Sequence, residues 1–427
     1  MKERIAVIDG IRTPFAKAGG ALRYIPADDL AAIAVRELMY RLPISHESID
    51  EVIVGNVVSP IGSQNIARVI ALKAGFPNST IAYSVHRNCA SGMESISSAA
   101  MKINYGECEI IISGGTESMS NIPFAYHEVL KEVLEGFLTL KSWRKKFLQI
   151  FKLRPSHFKP VVCLIHGLTD PVSNQIMGIT AENLAREFHI TREEQDRFAF
   201  QSHEKAHRSR AKLHEELFPI PIPPNYNVSL NEDESMKRTL TMENLAKLKP
   251  YFDRRTGTVT IGNSCGVTDG AAFVLLMSES KAKQLGFKPL GFVNSFTYAG
   301  LEPKRMGLGP VYATAKLLKK TGFSMNDFDL VELNEAFASQ VIANQKAFSS
   351  DMFSKAFLGQ DKAVGEIDPS KLNVNGGAIA LGHPVGTTGT RLILTLLKEL
   401  QRQGKQRGLA TLCVGGGQGA SFIVERE

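Results

Sequence analysis

A cysteine at position 89 lies among small residues, in the run Asn-Cys-Ala-Ser-Gly at residues 88–92, where a loop is predicted to become a helix. A thiol at a helix N-terminus faces unpaired backbone N–H groups and the positive end of the helix dipole, which favour the nucleophilic thiolate. A cysteine among small residues is also commonly a packing residue in a core. Cys89 alone therefore leaves both interpretations open.

Two later segments carry side chains that could act with this thiol. Residues 375–389 are dense in glycine and contain His383, and glycines let the backbone approach a ligand closely. A tight turn, a phosphate cradle or a solvated histidine would also fit that segment. Residues 413–417 read Cys-Val-Gly-Gly-Gly, which places Cys413 before glycines that can offer backbone N–H donors. Together the segments supply two thiols, one base and an anion-binding backbone.

The elements that must position these groups follow an α/β pattern. Short apolar runs that end in glycine, such as residues 52–55 and 110–115, alternate with predicted helices. The pattern recurs, since residues 49–56 are echoed by 328–335, and residues 110–118 by 409–417. We therefore predict two related halves with a ligand site where their strand ends meet.

Between residues 121 and 250 the pattern gives way to a helical, charge-rich insert, which we interpret as a loop domain. From residue 136 to 160 it has no acidic residue, while aromatic and aliphatic residues interleave with Lys141, Arg144, Lys145, Lys146, Lys152, Arg154 and Lys159. This predicts a basic amphipathic helix within a basic insert at 128–160, which can lie on an anionic membrane or in a partner's groove. The alternative is a helix that packs its apolar stripe on its own domain.

Composition restricts the class of protein. The chain has 427 residues, 43% of them hydrophobic, and no apolar run of membrane-spanning length, which predicts a soluble globular protein of two or three packing units. Its five cysteines show no paired metal-ligand spacing, and their odd number argues against a full disulfide framework. We expect no metal site, a reducing compartment and, without a signal or peroxisomal motif, the cytoplasm.

Four ordered motifs carry a resemblance to the thiolases. They are residues 88–92, the run Asn-Glu-Ala-Phe at 334–337, the glycine-rich segment 376–389 and residues 413–417. The resemblance covers nearly the whole chain, and extends to Arg-Thr-Pro-Phe at 12–15, Gly-Gly-Thr-Glu-Ser-Met at 114–119 and Gly-Thr-Val-Thr-Ile-Gly-Asn at 257–263.

The resemblance implies an α/β thiolase fold, in which two similar βαβαβαββ halves form a five-layered αβαβα arrangement with an inserted helical loop domain that holds coenzyme A. The N-terminal half would span residues 1–120 and be completed by 251–280. The loop domain would span 121–250, and the C-terminal half 281–427.

The resemblance also implies a reaction and its residues. Thiolases cleave 3-ketoacyl-CoA to acetyl-CoA and a shortened acyl-CoA by a ping-pong, reversible route in fatty-acid β-oxidation. Cys89 would accept the acyl group, His383 would activate it, and Cys413 would handle the α-carbon proton. Asn334 with His383 would stabilise one negative oxygen, and the backbone of Cys89 and Gly415 the other.

Coenzyme A would be a co-substrate, with no permanently bound cofactor. Contacts implied for it fall on Met177, Ser264, Cys265, Ala336, Phe337 and either Lys237 or Arg238. Residues 175–178 read Gln-Ile-Met-Gly where many thiolases have His-Met-Gly, so that histidine contact is absent. Cys265 stands where a pantetheine-contacting serine is common, and a thiol forms weaker hydrogen bonds.

The basic insert looks like the extended loop of thiolase subunits that join a hydratase/dehydrogenase subunit in fatty-acid oxidation complexes. Those subunits usually read His-Glu-Ala-Phe, however, where residues 334–337 here begin with asparagine. We favour a medium- or long-chain 3-ketoacyl-CoA thiolase, with a short-chain acetoacetyl-CoA thiolase as the alternative, assembled as a homodimer or a dimer of dimers.

Three other classes fit less well. Ketoacyl synthases share the fold but lack the second thiol, Cys413. A non-catalytic thiolase-like lipid or acyl-CoA carrier would have lost one or more of Cys89, His383 and Cys413, all of which are present. Nucleic-acid binding is not expected, because no DNA- or RNA-reading motif accompanies the basic run.

Overall fold

The computed structural model describes residues 3–236 and 240–426. Its first part is an alternation of strands and helices. In chain order these are β1 (Ile5–Arg12), β2 (Ala16–Lys17), α1 (Ala27–Arg41), β3 (Glu51–Gly55), α2 (Ile66–Ala74), β4 (Ile81–Val85), α3 (Ser91–Tyr105) and β5 (Ile110–Glu117). Short 3-10 turns lie at His46–Ser48 and Met119–Asn121.

The middle of the chain is mainly helical. Its elements are β6 (Phe124–Ala125), α4 (Glu128–Thr139), α5 (Trp143–Ile150), β7 (Val161–Val162), α6 (Cys163–Gly167), α7 (Met177–Glu187), α8 (Arg192–Arg208), α9 (Arg210–His214), β8 (Ile220–Pro221), β9 (Ser229–Leu230) and α10 (Met242–Ala246). A 3-10 turn at Pro155–Phe158 follows α5. The two-residue strands form small ribbons, β6 with β7 and β8 with β9.

The last part of the chain repeats the alternation. It comprises β10 (Thr268–Ser278), α11 (Glu279–Gln284), β11 (Gly291–Gly300), α12 (Gly309–Thr321), β12 (Leu330–Leu333), α13 (Ala338–Phe348), α14 (Asp351–Phe353), α15 (Ala378–Leu381), α16 (Val385–Gln403), β13 (Arg407–Val414) and β14 (Gln418–Glu425). Pro303–Leu308 and Met325–Asp327 are 3-10 turns, and Ser354–Leu358 is a π-helical turn.

The strand order shows two equivalent halves. In the first half the neighbours are β1-β10-β5-β3-β4, and in the second β11-β14-β13-β12. The first two pairings of each half are antiparallel, and the pairings of β5 with β3 and of β13 with β12 are parallel. β3 continues to β4 in parallel, and β12 likewise forms a parallel bridge from Val331 to Leu372. The echoed motifs therefore occupy equivalent strands, and β1 joins the two sets by pairing with β11.

Three apolar cores separate the layers of this fold. Helices α1 and α2 pack on the outer face of the first strand set, through residues such as Leu30 and Ile70. Helices α3 and α16 lie between the two sets, and α12 and α13 cover the outer face of the second. Neighbouring residues of β5, Ile111 and Ile112, enter different cores because side chains alternate across a strand. Strands covered on both faces contain continuous apolar runs, such as residues 110–112 of β5, as the sequence showed.

A buried charge cluster attaches the middle of the chain to the two halves. Arg12 of β1 donates to Glu216 at 2.7 Å and to both carboxylate oxygens of Asp233, at 2.6 and 2.9 Å. Asp233 also accepts the Phe15 backbone N–H, and Glu216 accepts the Thr395 hydroxyl of α16. Buried charges that are fully hydrogen-bonded are costly to separate, because removing one partner leaves the other unpaired.

The basic insert stands apart from these cores. The ribbon of β6 and β7 closes its base. Of residues 128–160, all of which the structure describes, only Leu130 and Val133 are buried. The insert contains a short basic helix, α5, which is separate from α4 because the chain leaves α4 at residue 140. The apolar stripe of α5 is not covered by the protein's own domain, since none of its residues is buried.

In the part of the chain that the structure describes, no helix has both the length and the apolar character needed to cross a membrane.

Gly115 marks the closest approach of β5 to the start of α16. A Cβ placed on Gly115 would lie 2.0 Å from the carbonyl oxygen of Gly386, a backbone atom that cannot move aside alone. We expect Gly115→Ala to lower the free energy of unfolding by about 1–3 kcal/mol or more, as overpacking does. Gly62→Ala is the matched control, because a Cβ there meets nothing within 4 Å. Equal unfolding midpoints in denaturant for the two variants would contradict this packing.

Candidate active site

Cys89 lies in a tight turn two residues before the first residue of α3. Asn88 adopts a left-handed backbone with φ of 43°, a conformation that asparagine tolerates better than most residues. Its carbonyl oxygen accepts hydrogen bonds from the Ser91 backbone N–H at 3.0 Å and the Ser91 hydroxyl at 2.7 Å. These bonds fix the turn, and with it the position of the sulfur ahead of the helix.

The glycine loop after Cys413 contacts this turn. The Asn88 side-chain amide donates to the carbonyl oxygen of Gly415 at 2.7 Å. The backbone N–H groups of Gly415 and of Cys89 itself act on the Cys89 sulfur and lower its pKa, but burial acts more strongly, so that the pKa of the thiol is raised above its ordinary value. The sequence led us to expect a thiolate at the helix N-terminus. The structure instead favours a protonated thiol, because desolvation outweighs the helix.

His383 is held just before α16. Gly382 precedes it with φ of 112°, and a Cβ there would lie 2.7 Å from the Thr268 side chain, so only glycine fits. The His383 Nδ1 atom lies 2.6 Å from the Thr388 hydroxyl oxygen. Burial, assisted by the positive charge of Arg391, lowers the pKa of His383 to about 3. The imidazole is therefore neutral at physiological pH.

The tautomer of His383 follows from the partners of Thr388. The Thr388 hydroxyl donates to the carbonyl oxygen of Pro384 at 3.0 Å. A hydroxyl has a single proton, so towards His383 it can only accept. Nδ1 must then carry the ring proton, which leaves Nε2 with a free lone pair. This is the tautomer in which Nε2 can serve as a base.

The helices that begin beside Cys89 and His383 touch each other within their first two turns. The Thr390 hydroxyl of α16 donates to the Gly92 carbonyl oxygen of α3 at 3.2 Å. A Cβ on Gly389 would lie 2.5 Å from the Met93 backbone nitrogen. Because both helices start at the same place, the residues just before them, Cys89 and His383, are brought to the same region.

Asn334 and Cys413 approach this region from the carboxyl ends of the parallel strands β12 and β13. The Asn334 backbone N–H donates to the Thr411 carbonyl oxygen at 3.0 Å, which aligns the two strand ends. Asn334 is fully buried, and both polar atoms of its side chain lack a partner among the described residues. Buried polar groups are normally satisfied. This amide is therefore suited to bind a polar group that enters the site.

Cys413 is also buried. Burial raises the pKa of its thiol well above the ordinary value, and the nearby sulfurs of Cys89 and Cys265 raise it further. Cys413 is thus held in the protonated form, as a proton donor would have to be.

An apolar cluster forms the wall around Cys413. Its other members are Met177, Ala181, Phe252, Val259, Cys265, Met306, Ala336 and Phe337. The Cys265 backbone N–H donates to the Ala336 carbonyl oxygen at 3.0 Å, and burial raises the pKa of the Cys265 thiol to about 12. Four residues predicted to contact coenzyme A therefore lie together in this wall: Met177, Cys265, Ala336 and Phe337.

Ser264, Lys237 and Arg238 are the other residues predicted to contact coenzyme A. The Ser264 hydroxyl donates to the Thr260 carbonyl oxygen at 2.7 Å, so its proton is used inside the protein. Gln175, in the motif that departs from the family, accepts a hydrogen bond from Asn183 at 2.9 Å. Lys237 and Arg238 lie outside the described residues. Among the residues that are described, no group of three or more metal-ligating side chains could hold a metal ion.

Two positioning residues were not identified from sequence. Thr388 sets the tautomer of His383. The sequence feature that could have identified it is a hydroxyl residue five positions after the histidine, in the first turn of a helix. Glu117 ends β5, and its carboxylate accepts backbone N–H groups of Val57, Val58 and Gly386, each at 3.0 Å. Burial raises the pKa of Glu117 to about 7. Glu117 fixes the start of α16 beside His383. The sequence feature that could have identified it is a carboxylate at the end of an apolar strand.

Thr388→Val should slow the reaction of Cys89 with iodoacetamide about ten-fold, which corresponds to the roughly 1–2 kcal/mol of one buried hydrogen bond. The reason is that valine cannot accept a hydrogen bond from the Nδ1–H group of His383, so the tautomer in which Nε2 has a free lone pair is no longer favoured. Thr388→Ser retains the hydroxyl and should react at nearly the wild-type rate, with an unfolding midpoint similar to that of the valine variant. Equal alkylation rates for all three proteins would contradict the assigned tautomer.

Comparison with known proteins agrees with this geometry. Residues 5–280 match the thiolase N-terminal domain and residues 287–426 the thiolase C-terminal domain. The chain is 42% identical to a 3-ketoacyl-CoA thiolase of Pseudoalteromonas translucida (strain TAC 125), over 99% of this chain and 97% of that protein. It is 40% identical to one of Yersinia enterocolitica, over 100% of this chain and 97% of that protein.

Solved structures agree as well. Bacillus anthracis acetyl-CoA acetyltransferase superimposes with a TM-score of 0.86 at 37% identity, over 99% of each chain. Human mitochondrial 3-ketoacyl-CoA thiolase in complex with CoA superimposes with a TM-score of 0.84 at 35% identity, over 100% of this chain and 98% of that one. The predicted fold class is confirmed. The chain belongs to the thiolase family.

Proposed function

We propose that this protein is an acyltransferase that cleaves 3-ketoacyl-CoA with coenzyme A, giving acetyl-CoA and an acyl-CoA one acetyl unit shorter, in fatty-acid β-oxidation. The proposal rests on the thiols of Cys89 and Cys413, which lie close enough to act on each other, and on a neutral imidazole, His383, held just before the helix that touches the helix after Cys89. The relatives named 3-ketoacyl-CoA thiolase support the same reaction.

The first step is attack by Cys89 on the keto carbon of the substrate. His383 Nε2 takes the thiol proton as the sulfur–carbon bond forms. Since burial disfavours both the thiolate and the imidazolium, this transfer occurs with substrate attack and not in the free enzyme. The oxygen that becomes negative is stabilised by Asn334, whose amide has no other partner among the described residues.

Cleavage of the bond between the α-carbon and the keto carbon then leaves the acyl group on Cys89 and an acetyl-CoA enolate. The Cys413 thiol gives its proton to the enolate carbon, and acetyl-CoA leaves. The backbone N–H groups of Cys89 and Gly415 stabilise the negative thioester oxygen of this enolate. Their effect on the Cys89 sulfur supports that role.

A second coenzyme A completes the cycle. Its thiol gives a proton to the Cys413 thiolate and attacks the acyl group on Cys89, and His383 returns the proton to the Cys89 sulfur. The apolar wall of Met177, Cys265, Ala336 and Phe337 is proposed to hold the pantetheine arm, because it borders Cys413. A basic contact to the nucleotide is proposed for Lys237 or Arg238.

The second candidate function is a short-chain acetoacetyl-CoA thiolase, or acetyl-CoA C-acetyltransferase. The similarity to the Bacillus anthracis acetyl-CoA acetyltransferase favours it, and the same residues would serve the condensation direction. A non-catalytic carrier is less well supported, because Cys89, His383 and Cys413 are all retained.

We also propose that the enzyme is a homodimer or a dimer of dimers in the cytoplasm. Within the described residues, β4 has a strand neighbour on one side only, so that its outer edge can pair with a second copy. All five cysteines are free thiols, which supports a reducing compartment. The basic insert is proposed to provide an interaction surface, either for a hydratase/dehydrogenase subunit or for a membrane.

The reaction is tested by thiolysis of 3-ketoacyl-CoA substrates from short to long acyl chains. We expect Cys89→Ser to lower kcat by roughly a thousand-fold or more, because a hydroxyl is a poor replacement for the nucleophile. Cys413→Ala should lower kcat by roughly a hundred-fold or more, as loss of a general acid does. Cys163→Ser, whose thiol lies in α6 away from the apolar wall, is the matched control and should retain activity.

Near wild-type thiolysis by Cys89→Ser or Cys413→Ala would contradict the assigned roles. A wild-type enzyme confined to acetoacetyl-CoA would favour the second candidate, and a wild-type protein inactive at every chain length would favour the carrier.

A further inference from the structure

Arg87, two residues before Cys89, belongs to the turn that carries the proposed nucleophile. Its carbonyl oxygen accepts the Ala90 backbone N–H at 2.9 Å, and its own backbone N–H donates to the Ser91 hydroxyl oxygen at 2.9 Å. The proposed reaction gives this residue no part. Its side chain nevertheless leaves the turn and contacts three different elements of the fold.

The guanidinium of Arg87 is fixed from two sides. Its Nε–H donates to the Glu94 carboxylate in the first turn of α3 at 2.6 Å, a charge-assisted hydrogen bond. Its Cζ atom lies over the Tyr298 ring of β11, 4.0 Å from the ring centroid, where the face of the ring attracts a cation. The Tyr298 and Ser97 hydroxyl oxygens lie 2.7 Å apart, which holds that ring against α3. The guanidinium is thus held between the first half of the fold and the second.

The same guanidinium reaches the hairpin tip, which we define as residues 415–417. Its Nη1 donates to the side-chain carbonyl oxygen of Gln418 at 3.3 Å. Gln418 is the first residue of β14, which pairs with β13 directly across the tip. The Asn88 side chain holds the start of the tip through its bond to the Gly415 carbonyl oxygen at 2.7 Å. The consecutive residues Arg87 and Asn88 therefore hold the two ends of the hairpin tip.

We propose that Arg87 is a positioning residue that sets the hairpin tip against the Cys89 turn, so that the N–H groups of Cys89 and Gly415 act on one oxygen of the substrate. The inference rests on the proposed function, in which these two groups stabilise the acetyl-CoA enolate. The two donors belong to different halves of the fold, so their separation has to be fixed by contacts between the halves. Donors stabilise a developing charge only where they are already aimed at it.

The shape of the Arg87 side chain matters more than its charge. Glu94 neutralises that charge at 2.6 Å. A planar guanidinium can bond to Glu94 and Gln418 in one fixed geometry while it stacks on the Tyr298 ring, whereas a lysine ammonium on a flexible stem fixes no such geometry. Lysine at position 87 would therefore keep the charge and lose the alignment.

The chain offers a closely matched control in Arg407, at the opposite end of β13. Its Nε–H donates to Glu425 at 2.7 Å, and its Cζ atom lies 4.0 Å from the centroid of the Phe323 ring. Its side chain is 28% exposed, against 31% for Arg87. At the rise of a strand, the far end of β13 lies about 23 Å away. Removing Arg407 therefore removes similar contacts without touching the hairpin tip.

Thiolysis kinetics test the positioning. We expect Arg87→Ala to lower kcat by roughly a hundred-fold, as loss of one oxyanion donor does, while KM changes by less than about three-fold. Arg87→Lys should lose nearly as much. Arg407→Ala should keep a near wild-type kcat, although its unfolding midpoint in denaturant should fall about as far as that of Arg87→Ala.

Gln418 provides a second route to the same test if Arg87→Ala does not fold. Gln418→Leu removes the acceptor at the hairpin tip and should lower kcat by roughly ten-fold, since one hydrogen bond to a charged group is lost. Gln418→Glu keeps an oxygen that can accept from Arg87 and should have a near wild-type kcat.

Hydrogen exchange of the full-length protein measures the hairpin tip without turnover. The backbone amides of residues 415–417 should exchange faster in Arg87→Ala than in the wild type, and at the wild-type rate in Arg407→Ala. If the wild type cleaves no 3-ketoacyl-CoA while Arg87→Ala loosens the tip, the proposed reaction fails and the positioning stands.

Four results would overturn the proposal. They are a near wild-type kcat in Arg87→Ala, a near wild-type kcat in Arg87→Lys, an equal loss of kcat in Arg407→Ala, and unchanged exchange at the hairpin tip in Arg87→Ala.

Discussion

Desolvation where the two halves meet determines how this site can work. Burial raises the pKa values of Cys89 and Cys413 and lowers that of His383, so all three groups are uncharged at rest. In the proposed mechanism, charges arise only as substrate reacts, beside donors already in place. The pKa of His383, lowered to about 3, is compatible with its proposed role as the base, because the proposed proton transfer accompanies substrate attack and does not occur in the free enzyme.

Close backbone contacts make that burial possible. The first two turns of α3 and α16 meet without side chains between them at Gly92 and Gly389. The absence of a side chain at Gly115 lets the Gly386 carbonyl oxygen pack against β5. Each half contributes one central helix, so the proposed nucleophile and the proposed base come from different halves of one repeated topology. The charge cluster around Arg12 then ties the intervening domain to both halves.

Sequence was sufficient for the repeated topology, because strand ends and glycine runs are local features, and reactive side chains in such runs led to the prediction of Cys89, His383 and Cys413 as the acting groups. It did not predict the protonation of Cys89, since the helix N-terminus is a local feature but the depth of burial is set by both halves together. The role of Thr388 in setting the His383 tautomer was not predicted either. Whether the Thr388 hydroxyl donates or accepts a hydrogen bond depends on where Pro384 and His383 lie in the fold. A basic amphipathic helix was predicted within the insert, but sequence left its exposure open, because exposure depends on tertiary packing.

The most direct test of the central claim is to identify the residue that carries the acyl group. The enzyme would be mixed with a 3-ketoacyl-CoA in the absence of free coenzyme A, quenched in acid and digested, and its peptides analysed by mass spectrometry. We expect an acyl group one acetyl unit shorter than the substrate, on the peptide that contains Cys89 and on no other. An acyl group on Cys265 or Cys413, or no acyl-enzyme during active turnover, would contradict it.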